Sequence, residues 1–145
     1  MSKIYINTDG GARGNPGPAA IGVVFYDESE NIVHKFGKNI GEATNNIAEY
    51  SAIVEALKTL KKSKWLKENE GRCEVYCRLD SQLVVEQISG NYKVKNEGLR
   101  YLYLEVLSLI ADIKAKIYFC HIVREENKLA DKMVNQALDE GRDVT

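Results

Sequence analysis

Cysteine and histidine are scarce in this chain, long apolar runs are missing, and neither sign of charge dominates. The 145 residues include three cysteines, Cys73, Cys77 and Cys120, an odd number without the paired spacing of a zinc site. They read as reduced thiols in strand-like stretches, where a free cysteine serves as a small core residue. No stretch approaches the roughly 20 apolar residues of a membrane helix. Met1-Ser2-Lys3-Ile4-Tyr5-Ile6 passes straight into strand-like alternation, without the pattern of a signal peptide. The expectation is a cytoplasmic protein with no membrane partner. A net charge of -1 and a pI near 6.2 give no global mark of a nucleic-acid binder. Any such function must draw on local charge or on bound cations. No internal repeat, low-complexity tract or linker interrupts the chain. The glycine-rich stretch Gly11–Gly17 has neither Gly-x-Gly-x-x-Gly nor a Gly-Lys-Ser/Thr ending, which sets aside a nucleotide-binding or redox domain.

What is present suits one domain, residues 1–145, with enough chain to bury a core: 44% of residues are hydrophobic and 28% charged. Residues 3–8 alternate in polarity and run into Asp9-Gly10-Gly11, a turn signal. Residues 11–18 read as a loop, Ala20–Tyr26 as a strand, Asp27–Asn31 as a polar turn and Ile32–Ile40 as a third strand. These three strands predict an antiparallel meander. From Asn46 to Lys62 the apolar period becomes helical. Cys73–Leu79 is again a strand, followed by a short helix from Ser81 to about Ser89 and a longer one over Glu97–Ile113. Lys116–Val123 and Glu126–Glu140 give a last strand and a last helix. The order β-β-β-α-β-α-α-β-α predicts an α/β domain whose later strands run parallel through helical crossovers. Periodicity leaves the order of strands in the sheet open.

Four acids fall near the ends of these elements: Asp9, Glu49, Asp80 and Asp131. Each has a local structural alternative. Asp9 could make a turn, Glu49 could close a capping box with Asn46, Asp80 could cap the helix after it, and Asp131 could be one solvated acid among many. Against this, Glu49 shares a helical face with Ile53, Ala56 and Leu60, and Asp131 with Val134 and Leu138, so both are expected to point inward. Asp9 and Asp80 are expected at the carboxyl ends of two strands, where α/β sheets place their sites. If those strands are neighbours, four carboxylates converge, and like charges in one site push each other toward protonation. Hard divalent cations bound by oxygen are the natural counter-charge, with magnesium using few carboxylates plus waters and substrate phosphates. The lysines around the end of the first helix (Lys58, Lys61, Lys62, Lys64, Lys67) read as a solvated face, with contact to a nucleic-acid backbone as the alternative.

Around these acids the sequence resembles the ribonuclease H family, type 1, over nearly its whole length. The resemblance rests on Tyr5-Ile6-Asn7-Thr8-Asp9-Gly10-Gly11-Ala12-Arg13-Gly14-Asn15-Pro16-Gly17-Pro18-Ala19-Ala20 and on Thr44-Asn45-Asn46-Ile47-Ala48-Glu49-Tyr50. It continues in Leu79-Asp80-Ser81-Gln82-Leu83-Val84-Val85, Tyr92-Lys93-Val94-Lys95-Asn96 and Arg124-Glu125-Glu126-Asn127-Lys128-Leu129-Ala130-Asp131. It implies a ribonuclease H-like fold, a five-stranded mixed sheet of three antiparallel and then parallel strands, flanked by helices. It further implies that Asp9, Glu49, Asp80 and Asp131 bind two Mg2+ or Mn2+ ions, and that the protein cuts the RNA strand of RNA–DNA hybrids to leave 3′-hydroxyl and 5′-phosphate ends. A monomer is expected, though no residue pattern speaks to oligomeric state. By the same resemblance Gly10, Asn15, Thr44, Asn45, Asn46, Gln82, Lys95 and Asn96 would grip the hybrid. Short amides and a hydroxyl can reach sugar and phosphate groups, and the start of a helix favours phosphate.

Two departures stand out. Gly90-Asn91-Tyr92-Lys93-Val94-Lys95-Asn96 leaves no room for the basic, tryptophan-bearing protrusion of some family members. Lys93, Lys95 and Arg100 offer a smaller basic patch, which implies weaker and more salt-sensitive hybrid binding. The short connection before Asp131 also lacks the histidine that many members carry there. His121 falls within a strand and His34 reads as surface, so Arg124 or Glu125 is expected to take over part of that role. Two alternatives stay open: another nuclease of the same fold, and a module that binds hybrids without cutting them. Double-stranded RNA is a further candidate substrate.

Overall fold

The computed structural model describes residues 1–145. Five strands make one mixed sheet: β1 (Ser2–Ala12), β2 (Gly17–Tyr26), β3 (Ile32–Ala43), β4 (Cys73–Leu79) and β5 (Lys116–His121). Their order is β3-β2-β1-β4-β5. The pairs β3–β2 and β2–β1 are antiparallel, whereas β1–β4 and β4–β5 are parallel. This is the expected architecture, and it makes β1 the central strand, with one antiparallel and one parallel neighbour. The helices are α1 (Asn45–Lys62), α2 (Lys64–Asn69), α3 (Gln82–Ile88), α4 (Glu97–Asp112) and α5 (Lys128–Glu140), with a 3-10 turn at Arg124–Glu126. None is long and apolar enough to cross a membrane.

The main core lies between one face of the sheet and the helices α1, α3 and α4. Ile6, Ile21, Val75 and Leu79 from the strands meet Tyr50, Ile53, Leu57 and Val84 from the helices, all fully buried. Burying a side chain of this size contributes about 1.5–3 kcal/mol each. On the opposite face α5 packs Ala130, Met133, Val134 and Ala137 on Ala20 and Val24 in a second, smaller cluster. Both helices lie close to the sheet because glycines receive them. A Cβ at Gly10 would collide with the Ala48 carbonyl of α1, and one at Gly22 with the Ala130 carbonyl of α5.

Several boundaries differ from the sequence reading, each for a physical reason. Asp9-Gly10-Gly11 is not a turn: β1 continues through Ala12, because Asp9, Gly10, Gly11 and Ala12 pair with Gly22, Ile21, Ala20 and Ala19 of β2. The loop shrinks accordingly to the few residues between Ala12 and Gly17. The region after α1 is not only a solvated charge run. Ser63 ends α1 with its N–H on the Leu60 carbonyl and caps α2 by accepting from the Leu66 N–H, and Leu66 is buried. Lys58 and Lys61 nevertheless stay at the surface, paired with Glu105 and Asp112 of α4. The last helix starts at Lys128, two residues later than expected, since the 3-10 turn occupies Arg124–Glu126.

The last residues also have a place. Gly141, in the left-handed conformation at φ 66°, ends α5, and Val144 forms an isolated bridge with Gly37 on β3. The Gly37 N–H donates to the Val144 carbonyl at 2.8 Å and the Val144 N–H to that of Gly37 at 2.9 Å, while Val144 is buried in the α5 cluster. A Val144→Asp substitution would put an unpaired carboxylate on this apolar surface. It is expected to lower stability by about 2–3 kcal/mol, and Val144→Ala by about 1 kcal/mol. Urea unfolding monitored by circular dichroism reads both; midpoints equal to the parent's would mean that the bridge contributes nothing.

Candidate metal centre and nucleic-acid interface

The geometry of the sheet puts two acids side by side. Parallel pairing between β1 and β4 ends at Thr8 and Leu79, and the next residues are Asp9 and Asp80. Asp80 stands just past the end of β4 as expected, but Asp9 is mid-strand rather than at a strand end, because β1 goes on pairing with β2. Glu49 comes from the second turn of α1. It does not close a capping box with Asn46, since the helix is capped by Thr44, whose side chain accepts from the Ile47 N–H at 3.2 Å. Nor does Asp80 cap α3; Ser81 does, accepting from the Val84 N–H. Both acids are thereby left free of local structural duty.

One carboxylate oxygen from each of Asp9, Glu49 and Asp80 lies within 4.8 Å of the others. Asp9 and Glu49 are buried and Asp80 is half-buried. The Gly10 N–H lies between the first two, at 3.0 Å from Asp9 Oδ1 and 2.8 Å from Glu49 Oε1. The absence of a side chain at Gly10 brings α1 close enough for this contact. Burial pushes the Asp9 carboxyl from 3.8 up to about 7; Asp80 and Asp131 push the same way, and the hydrogen bonds with Glu49 and Gly10 act against them. Glu49 is raised well above the ordinary range, first by burial and then by the charge of Asp9. Burial first, and like charges after it, therefore favour protonation of the pair.

Asp131 departs from the expected inward orientation. It is exposed, because Ala130 takes the position against Gly22 in the first turn of α5. It lines the same hollow of about 460 Å³ as the other three acids but stands outside their tight group. The Asn135 side chain, one turn on, donates to the Asp131 carbonyl at 3.1 Å and to its Oδ1 at 3.3 Å. Two arginines line the hollow, Arg13 and Arg124. Arg13 is anchored by Asp139 at 2.6 Å, and Arg124 is exposed on the 3-10 turn. Glu125 is exposed on that turn but does not line the hollow, and neither does His121, the exposed last residue of β5.

A second hollow of about 390 Å³ gathers Asn15, Thr44, Asn45, Asn46 and Asn96 with Ile47 and Leu99. Three of these asparagines spend their carbonyl oxygens on the protein's own backbone. Asn15 accepts from the Asn45 N–H, Asn45 from the Ala12 N–H and Asn96 from the Leu99 N–H. Their exposed amide nitrogens remain as donors, the polarity that a phosphodiester or a 2′-hydroxyl needs. Gln82 is exposed at the start of α3, beside Ser81, which lines the acid hollow. Lys95 is exposed and outside the second hollow. Gly10 serves α1 packing and Glu49, which sequence reasoning did not anticipate.

Sequence reasoning gave no role to Arg13, Ser81, Asn127 or Asn135. Asn127 is buried, and its amide nitrogen donates to the Thr8 carbonyl at 2.9 Å and to Asp80 Oδ2 at 3.2 Å. The available signal was its spacing, an asparagine at the start of a helix four residues before an acid.

A family model described as reverse transcriptase-like matches residues 7–137. A bifunctional protein of Mycobacterium tuberculosis is 38% identical over 138 residues, covering 94% of this chain and 36% of that protein. The chain thus spans about a third of that relative's length. Ribonuclease HI of Halobacterium salinarum is 35% identical over 138 residues, covering 95% of this chain and 65% of the relative. Among solved structures, LC11-RNase H1, isolated from compost, superposes with a TM-score of 0.89 at 45% identity, covering 97% of this chain and 99% of the other. The same protein in complex with an RNA/DNA hybrid gives a TM-score of 0.87 at 43% identity, over 95% and 98%.

The raised acids fix the sign of a pH effect. The folded chain holds the Asp9 proton more tightly than the unfolded chain. The resulting stability is fully present below the ordinary value of 3.8 and is lost as pH rises toward about 7. In EDTA at pH 8, Asp9→Asn is therefore expected to be more stable than the parent, by about 1–3 kcal/mol, with the gap closing near pH 4. Added magnesium should raise the parent's melting temperature at pH 8 more than the variant's. Scanning calorimetry at both pH values is the check, and a variant less stable than the parent at pH 8 in EDTA would overturn this account of the site.

Proposed function

The chain belongs to the ribonuclease H family, and from that premise we propose that it is an endonuclease hydrolysing the RNA strand of RNA–DNA hybrids, leaving 3′-hydroxyl and 5′-phosphate ends. The observation that carries the reading is the group of three mutually close carboxylates, Asp9, Glu49 and Asp80, with Asp131 on the rim of the same hollow. The donor set is all oxygen and too negative to ionise fully on its own, which fits two magnesium or manganese ions. Such ions supply charge neutralisation and Lewis acidity for in-line displacement at a phosphodiester.

This chain's residues do the holding and orienting. Gly10 fixes Asp9 and Glu49 in register through one N–H. Asp131, exposed and held by Asn135, has the freedom to adjust to substrate. The amide donors of Asn15, Asn45 and Asn96, with Thr44, Asn46 and Gln82, form the grip on backbone and sugar, and Lys95 adds charge beside it. That LC11-RNase H1 binds an RNA/DNA hybrid with a closely superposable fold supports the choice of substrate. Recognition by sugar and phosphate implies cutting without base preference, with the 2′-hydroxyl deciding which strand is cut. Arg124 is the better candidate than Glu125 for the role of the missing histidine, because it lines the acid hollow and Glu125 does not.

Incubating a labelled hybrid with magnesium, manganese or EDTA tests the function. RNA-strand cleavage is expected with either metal, none in EDTA, and a loss of at least about 1000-fold in Asp9→Asn. A parent that binds the hybrid but cuts neither strand with any metal would make this a binding module, and equal cutting of duplex DNA would favour another nuclease of the fold. Arg124→Ala is expected to lower kcat about 10- to 100-fold with KM changed little; unchanged turnover would remove Arg124 from the reaction.

A further inference from the structure

We infer that Asn127 is the positioning residue that ties the acid-bearing elements together, so that the affinity of the site for divalent ions depends on it; this rests on the metal-dependent reading above. Asn127 is 1% exposed. Its Nδ2 donates to the Thr8 carbonyl, next to Asp9 on β1, and to Asp80 Oδ2 beyond β4. Its backbone continues the link. The Asn127 N–H donates to the Arg124 carbonyl at 2.9 Å, and the Asp131 N–H donates to the Asn127 carbonyl at 3.1 Å. One residue thus joins β1, Asp80, the Arg124 turn and the first turn of α5.

The side chain shows that this arrangement is not merely a satisfied core contact. Asn127 Oδ1 is buried and has no hydrogen-bond partner. Turning the amide over would satisfy nothing better, because it would aim Oδ1 at the Thr8 carbonyl and the Asp80 carboxylate, both acceptors. An aspartate would meet the same two acceptors with a negative charge, and a leucine would offer no donor. Among residues of this shape only asparagine donates to both, and it does so while leaving a buried acceptor unmet. Without the bond from Asn127, Asp80 keeps its place in sequence but loses the contact that aims Oδ2 relative to Asp9. Outer partners of this kind typically account for 10- to 100-fold in metal affinity or activity.

The test compares Asn127→Leu and Asn127→Ser with the parent. Leucine keeps the shape and removes the unmet acceptor, so the fold should persist, and the serine variant serves if the leucine variant does not fold. Manganese binding is measured by calorimetry without nucleic acid, and kcat and KM are measured on the hybrid well below each melting temperature. The expected result is a manganese dissociation constant raised about tenfold or more, with kcat reduced to match, KM for the hybrid within about twofold of the parent's, and kcat partly restored at high manganese. Variants that lose only melting temperature, with manganese affinity and kcat unchanged, would overturn the inference. A parent that binds manganese but leaves the hybrid uncut would sink the proposed activity alone, with the calorimetric comparison still deciding Asn127. A parent that binds no manganese would overturn both.

Discussion

Repulsion among Asp9, Glu49 and Asp80 is the constraint around which this structure is organised. Their oxygens lie within 4.8 Å, two of the three side chains are buried, and burial pushes Asp9 to about 7. A free chain would separate such groups. Here they are held by neighbours that are fixed in the fold: Asp9 is locked mid-strand by its pairing with Gly22 of β2, Asp80 follows the last pair of β4, and Glu49 rides on a helix whose apolar face is committed to the core. Packing elsewhere in the molecule thus offsets an unfavourable electrostatic arrangement at one edge of β1. A bound counter-charge would relieve such an arrangement, which is how metal binding and folding become coupled in general.

The same constraint explains why both helices touching the site need glycine beneath them. Gly10 lets α1 approach until Glu49 reaches the N–H that also serves Asp9, and Gly22 lets α5 approach until Asp131 reaches the rim. A side chain at Gly10 would lift α1 and pull Glu49 out of the group, and one at Gly22 would lift α5 and move Asp131 off the rim. The antiparallel and parallel halves of the sheet have complementary parts in this. β2 extends β1 past the point where β4 stops, so that Asp9 is held by strand pairing while Asp80, just past the end of β4, is held by Asn127.

Much of this was legible in the sequence, because element identity depends on periodicity that survives in one dimension. The order of elements, the three-stranded meander, and the inward face of Glu49 set by Ile53, Ala56 and Leu60 all follow from local pattern. What was not legible depends on partners distant in sequence. Asp9-Gly10-Gly11 has the composition of a turn, yet strand pairing with Ala19–Gly22 overrides it. α2 hides within a lysine-rich stretch, because its single buried anchor, Leu66, gives no period. Asp131 shares a face with Val134, but helical phase does not say where the helix begins to overlie the sheet, and that boundary leaves the acid exposed. The spacing of Asn127 before Asp131 could be read, but its partners could not, for the same reason: its two acceptors are 119 and 47 residues away in the chain.

The near-neutral net charge, which gave no sign of a nucleic-acid partner, is consistent with this distribution. Acids concentrated at one edge give it a local negative character, while the asparagine hollow beside it offers amide dipoles that add nothing to net charge. The two arginines lining the acid hollow are unequal. Arg13 is tied to Asp139 and, at 3.4 Å, to Asn135, so its charge is largely answered within the protein, whereas Arg124 has no carboxylate partner. A global count of charge averages these opposed local fields to near zero.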